Sequence, residues 1–194
     1  MPSIAAHMVM AKLISDKLNI NDDEFIKGNL YPDVILDSDS HHKIKGKYYL
    51  IPDINYFNKK YDFNNPFQLG CYTHLLLDKH FLEEYIPEKI KRLDVFDNDI
   101  IYQEYDYINA NLVKNFSLDV KKYSKILKSL EELPNINIEK LERNIDYFNN
   151  DKSKETEYLK ADEFSNFLNE ISDVISEEIK NACKRYRMSL CSSK

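Results

Sequence analysis

Three glycines and six prolines are all the chain breakers that these 194 residues contain. Glycine and proline are the strongest local punctuation of a fold, so long stretches here carry no turn signal. A strand-rich fold needs a turn roughly every ten residues. The chain therefore reads as all-α, a single multi-helix domain over 1–194, long enough to bury a sizeable core. The same scarcity excludes a glycine-rich phosphate loop.

Apolar spacing places the helices. Ile4, Met8, Ala11, Leu13 and Leu18 recur at roughly helical period, with Ser3 as N-cap behind Pro2. Asp22 or Asp23 caps a second helix to about Leu30. Gly28-Asn29 and Pro32 read as its break, with Asp33 in the break. Residues 34–52 read as a polar connection, including the run Lys47 to Ile51. Asp53 starts a third helix to about Tyr61. Pro66 opens a fourth that reaches about Tyr85, and Pro87 begins a short segment. Further helical patterns follow near 98–115, 118–130, 138–150 and 156–190. The polar stretch 149–157 reads as a mobile loop.

Within the fourth helix, His74-Leu75-Leu76-Leu77-Asp78 sets an imidazole and a carboxylate four residues apart. At that spacing they share a helix face while the leucines spread over the others. Two polar groups in such an apolar segment cost free energy unless both find partners. A hydrogen-bonded core pair is one solution. A bound cation is the other, because imidazole nitrogen and carboxylate oxygen are common ligands of zinc, iron and manganese.

The remaining histidines favour the cation. All five lie in the first 80 residues. His7 is on the first helix, Asp33 follows Pro32, His41 and His42 stand in the polar connection, and His74 and Asp78 share the fourth helix. Folded metal sites draw ligands from separate segments in this way. The ligand-bearing part is thus 1–110, and 111–194 is scaffold. His80, six residues after His74, points elsewhere. Cys71 is on the His74 side and reads as a buried, inert thiol.

Composition limits the alternatives. The net charge of −6, from 33 acidic and 27 basic residues, is no nucleic-acid footprint. No stretch of about 18 apolar residues exists for a membrane span. The N-terminus lacks a basic leader followed by an apolar run, which predicts a cytoplasmic protein with reduced thiols at Cys71, Cys183 and Cys191.

Several segments together resemble a known family. These are Met1-Pro2-Ser3 with His7, Gly28-Asn29-Leu30-Tyr31-Pro32-Asp33, the Ser40-His41 step, and Phe67-Gln68-Leu69-Gly70-Cys71-Tyr72-Thr73-His74-Leu75-Leu76-Leu77-Asp78. They look like the bacterial zinc-dependent phospholipase C-like hydrolases. The resemblance covers residues 1–85 and extends toward Asp106-Tyr107-Ile108-Asn109.

It implies the all-helical phospholipase C/nuclease fold. It also implies that Asp33, His41, His74 and Asp78 hold one metal and His7 a second, with Asp78 bridging. His41 is preferred to His42 because the family sets an aromatic after its histidine. That places one or two ions, zinc first, with iron, manganese or nickel as alternatives. A trinuclear site is not expected, since no histidine follows His80. The implied activity is hydrolysis of a phosphate ester, with Asp33 assisting the attacking water and Asp106 as a weaker candidate. HD-type phosphohydrolases are also helical, but their adjacent His-Asp dipeptide is absent. A helical interaction module with a structural metal, or a degenerate hydrolase, is the competing reading.

Overall fold

A computed structural model describes residues 2–36, 42–47, 49–90, 98–149, 156 and 159–192. The expected helices form. Helix α1 (Ile4–Leu18) is capped by Ser3, whose hydroxyl accepts from the Ala6 N–H. Helix α2 (Asp23–Leu30) is capped by Asp22 and passes into a 3-10 turn, Tyr31–Asp33. Asp53 caps α3 (Ile54–Lys60), and Asn65 caps α4 (Pro66–His80) with proline at its first position. The later helices are α5 (Ile86–Ile90), α6 (Asn98–Asn115), α7 (Val120–Ser129), α8 (Ile138–Asn149) and α9 (Ala161–Ser192).

Helices α1 and α4 form the centre. Every residue from Ile4 to Ala11 is buried, as is every one from Leu69 to Asp78. A helix apolar on all sides belongs inside a fold rather than on its surface. Helix α2 packs along α4, and α9 lies across α1, α4 and α6. One continuous apolar core runs from Ile4 through Leu75 and Phe164 to Ala182.

Three expectations need correcting. Gly28-Asn29 does not end α2; both residues lie within it. Its glycine serves packing instead. A Cβ on Gly28 would stand 1.8 Å from the Phe67 carbonyl oxygen, and one on Gly70 would stand 2.1 Å from that of Phe25. Helices α2 and α4 therefore cross with their backbones in contact, two of the chain's three glycines lying at the crossing.

The connection 34–52 is not all loop. Lys43–Lys45 (β1) pairs antiparallel with Leu50–Pro52 (β2), Ile44 opposite Ile51. Gly46 donates to the Tyr49 carbonyl at 2.8 Å across the turn.

The short segment expected at Pro87 is present as α5 (Ile86–Ile90), with the proline at its second residue. The proline ring excludes the usual helical bond to the carbonyl four residues back. The chain passes it by widening into a π-turn, Phe81–Tyr85, in which Ile86 N–H reaches Phe81 O.

The last helix starts at Ala161 rather than near 156. Thr156 and Leu159 are buried, and the Leu159 N–H is taken by the Glu104 carboxylate at 2.7 Å. The mobile loop expected at 149–157 falls mostly outside the described residues.

His80 points away from the centre, as its position predicts. Its ring nitrogens meet Glu84 at 2.6 Å and Glu178 of α9 at 3.1 Å. Burial works to lower its pKa, but the two carboxylates outweigh burial and raise it above the ordinary 6.5. Burial likewise works to raise Glu178, and His80 outweighs it, leaving Glu178 below the ordinary 4.5. The histidine's share of stability is complete below pH 6.5 and fades as pH rises through its higher folded value. The glutamate's share is present above 4.5 and fades as pH falls through its lower folded value.

His80→Gln is expected to cost about 1 kcal/mol near pH 6, a charged hydrogen bond discounted because Glu84 and Glu178 reach solvent. The loss should shrink at alkaline pH. Denaturant melts at pH 6 and 9 check it; a pH-independent loss would contradict the ion-pair origin.

Candidate metal centre

Three elements converge inside the core. His7 projects from the first turns of α1, His74 and Asp78 from the middle of α4, and Asp33 from the 3-10 turn. Pro32 is the middle residue of that turn, and Val34 N–H closes it onto Tyr31 O at 3.0 Å. Just after it the chain is tied to the segment before α8. Asn137 N–H donates to Val34 O at 2.7 Å, and Leu36 N–H to Asn135 O at 2.8 Å. The scaffold half therefore pins the Asp33 turn.

The two imidazoles stack face to face, centroids 3.7 Å apart and planes 9° from parallel. Their Nε2 atoms point toward the same two carboxylates. His7 Nε2 is 3.5 Å from Asp78 Oδ1 and 3.9 Å from Asp33 Oδ2. His74 Nε2 is 3.5 Å from Asp78 Oδ2 and 4.0 Å from Asp33 Oδ1. Each carboxylate thus turns one oxygen to each ring.

These four separations exceed the ~2.7–3.2 Å of an N–H···O hydrogen bond. They lie close to the ~3.4 Å that separates ligand atoms around a tetrahedral ion with bonds of about 2.1 Å. His7, His74 and Asp78 have no exposed surface, and Asp33 retains 8 %. Donor atoms of His7, His74 and Asp78 all lie within 4.8 Å of one another, a group able to hold a metal ion.

His7 makes the strongest case for an absent partner. It is fully buried, and neither ring nitrogen has a hydrogen-bond partner among the described residues. An imidazole without such partners in a protein interior costs on the order of 1–3 kcal/mol. An ion among these donors would relieve that at Nε2.

The electrostatics fit a cation site. Burial, joined by the neighbouring His74, lowers His7 below the ordinary histidine value, so it stands neutral with a lone pair to offer. Burial also works to lower His74, but Asp78, Asp33 and the Asn29 carbonyl outweigh it and raise it. Burial works to raise Asp78, and the two imidazoles overcome this, holding its carboxyl well below the usual range. An anionic Asp78 in a fully buried position is stable only beside positive charge.

The second layer is visible as well. His74 Nδ1 meets the Asn29 main-chain carbonyl at 2.8 Å. Metal-binding histidines characteristically donate their second nitrogen in this way.

Other sequence candidates fall elsewhere. His41 lies outside the described residues, so the fifth expected ligand has no position. His42 is exposed, 4.0 Å from the Asp53 carboxylate, with its ring 4.3 Å from Tyr56; it packs as an aromatic. Cys71 is buried, its thiol pushed up by burial, and is not among the grouped donors. The Asp106 side chain lies outside the described residues.

Sequence reasoning missed Asn29 and the two glycines of the crossing. The signal was present: Gly28 and Gly70 are two of only three glycines, and each lies within a few residues of a donor.

No protein-family model, curated protein or solved structure matches the chain. No helix among the described residues is long and apolar enough to cross a membrane.

Proposed function

We propose that this chain is a metal-dependent hydrolase of phosphate esters. The observation that carries the reading is the set of four His–Asp separations of 3.5–4.0 Å, too long for hydrogen bonds and suited to donors around an ion. The resemblance of residues 1–85 to zinc-dependent phospholipase C-like hydrolases supports it and makes zinc the first candidate. Because Asp78 and Asp33 each face both imidazoles, the donors suit one shared ion or two bridged ions.

Bound there, a divalent ion supplies a Lewis acid and a water whose pKa falls toward about 7. The residues divide the remaining work. His7, His74 and Asp78 are sealed from solvent and hold the centre rigidly. Asp33 alone keeps some exposure, so water and substrate approach on its side. Its carboxylate is placed to accept a hydrogen bond from the attacking water and orient it. The dry walls behind it strengthen every charge interaction at the centre.

The complete burial of three donors also suits a structural metal in a non-catalytic helical module. Two measurements separate the readings. Protein purified without chelator or metal-affinity resin is expected to carry one or two divalent ions per chain by elemental analysis. That protein is then expected to hydrolyse a generic phosphomonoester or phosphodiester. Bound metal with no turnover after adding zinc, manganese, iron or nickel would favour the module. Absence of metal would remove both.

A further inference from the structure

The geometry points to Asn29 as the residue that positions both histidines, an inference that rests on His7 and His74 being metal ligands. Asn29 is fully buried in the last turn of α2, directly beside the glycine crossing. Its main-chain carbonyl stands 2.8 Å from His74 Nδ1. A carbonyl can only accept, so in the neutral ring the proton sits on Nδ1. The Nε2 lone pair then faces Asp33 and Asp78.

The side chain does a second job. With its NH2 turned toward α1, it donates to the His7 carbonyl at 2.8 Å, while its oxygen accepts from the His74 N–H at 3.3 Å. The reverse orientation would set oxygen against oxygen and N–H against N–H. One amide therefore links the backbones of the two ligand histidines, which lie 67 residues apart in sequence. The stacked rings, 3.7 Å apart, inherit their spacing from this link.

The glycine crossing makes the link possible. A Cβ on Gly70 would stand 2.7 Å from the Asn29 main-chain nitrogen. Only helices touching at this depth bring a main-chain carbonyl of α2 onto a ring of α4. Asn29 contacts no reacting group and acts through the histidines.

Asn29→Ala removes the amide and leaves the carbonyl. It is expected to bind zinc and cobalt(II) ten- to a hundredfold more weakly, the usual effect of losing an outer-layer partner. Stoichiometry at saturation should match the wild type. The visible spectrum of the cobalt(II) form, which reports ligand geometry, should shift as well. Asn29→Ser, with a side chain too short to span both partners, should behave alike and serves if the alanine variant does not fold.

Thr73→Val is the control. Thr73 is equally buried on α4, but its hydroxyl bonds to Leu69 O at 2.9 Å rather than to the centre. It should lower the unfolding midpoint and leave cobalt affinity and spectrum unchanged. Wild-type affinity and spectrum in the folded Asn29 variants, even with reduced stability, would overturn the positioning role and leave the metal site standing. A wild-type protein that binds neither ion would overturn the metal reading and this inference with it.

Discussion

Asp78→Ala protein, purified as the wild type is, should contain no stoichiometric metal. Among the described residues Asp78 is the one carboxylate with no exposed surface, and it stands 3.5 Å from each imidazole. Its loss removes the charge that draws a cation into the core and a ligand oxygen for either histidine. The effect should exceed the ten- to hundredfold loss typical of outer-layer changes. His74→Ala should do the same, because Nε2 of that ring is the only α4 nitrogen among the grouped donors.

Stability gives a second readout. Ligand at about a thousandfold its Kd stabilises the folded state by ~4 kcal/mol. In a chain of this length that corresponds to roughly 10 °C in Tm. Chelation should therefore lower the wild-type Tm by about that much and leave the Tm of both variants unmoved. Unchanged metal content in both variants by elemental analysis would refute the site.

Gly70→Ala, like Gly28→Ala at the same crossing, should be strongly destabilising. In a helix interior, alanine is ordinarily better than glycine by about 1 kcal/mol. Here the added Cβ would fall 2.1 Å from the Phe25 carbonyl oxygen and 2.7 Å from the Asn29 nitrogen, both backbone atoms. Main chain cannot swing aside as a side chain can, so α2 and α4 must separate. Overpacking costs about 1–3 kcal/mol where side chains yield, and the upper end or beyond is expected here. Separation also draws the Asn29 carbonyl away from His74 Nδ1, so metal affinity should fall with stability. Denaturant unfolding together with cobalt(II) titration checks both. A Gly70→Ala protein with wild-type stability would show that the two helices do not need this contact.

The contrast between Gly28 and His74 shows what one dimension can carry. His74 and Asp78 were legible because a helix maps a four-residue spacing onto a single face. His7 and Asp33 were legible as ligand types on separate segments, and the resemblance suggested that they meet. Gly28 was misread as a break because glycine has two uses, conformational freedom and closeness, and local sequence shows only the first. Nothing near Gly28 identifies Phe67 as the backbone it must admit. The β1–β2 pair was missed for a related reason: three-residue strands carry too little alternation to stand out from a loop.

By itself, then, the sequence determined the helical class, the starts of the first four helices through Ser3, Asp22, Asp53 and Asn65, and the residue types available to hold a cation. These depend on bonds within a few residues of one another. The tertiary structure alone decided that the rings of His7 and His74 stack, that Asp33 and Asp78 each face both of them, and that Asn29 joins their backbones. Apart from the His74–Asp78 pair, those relations span 22 to 71 residues along the chain. They exist only because α2 and α4 meet at two glycines, where no side chain holds the helices apart.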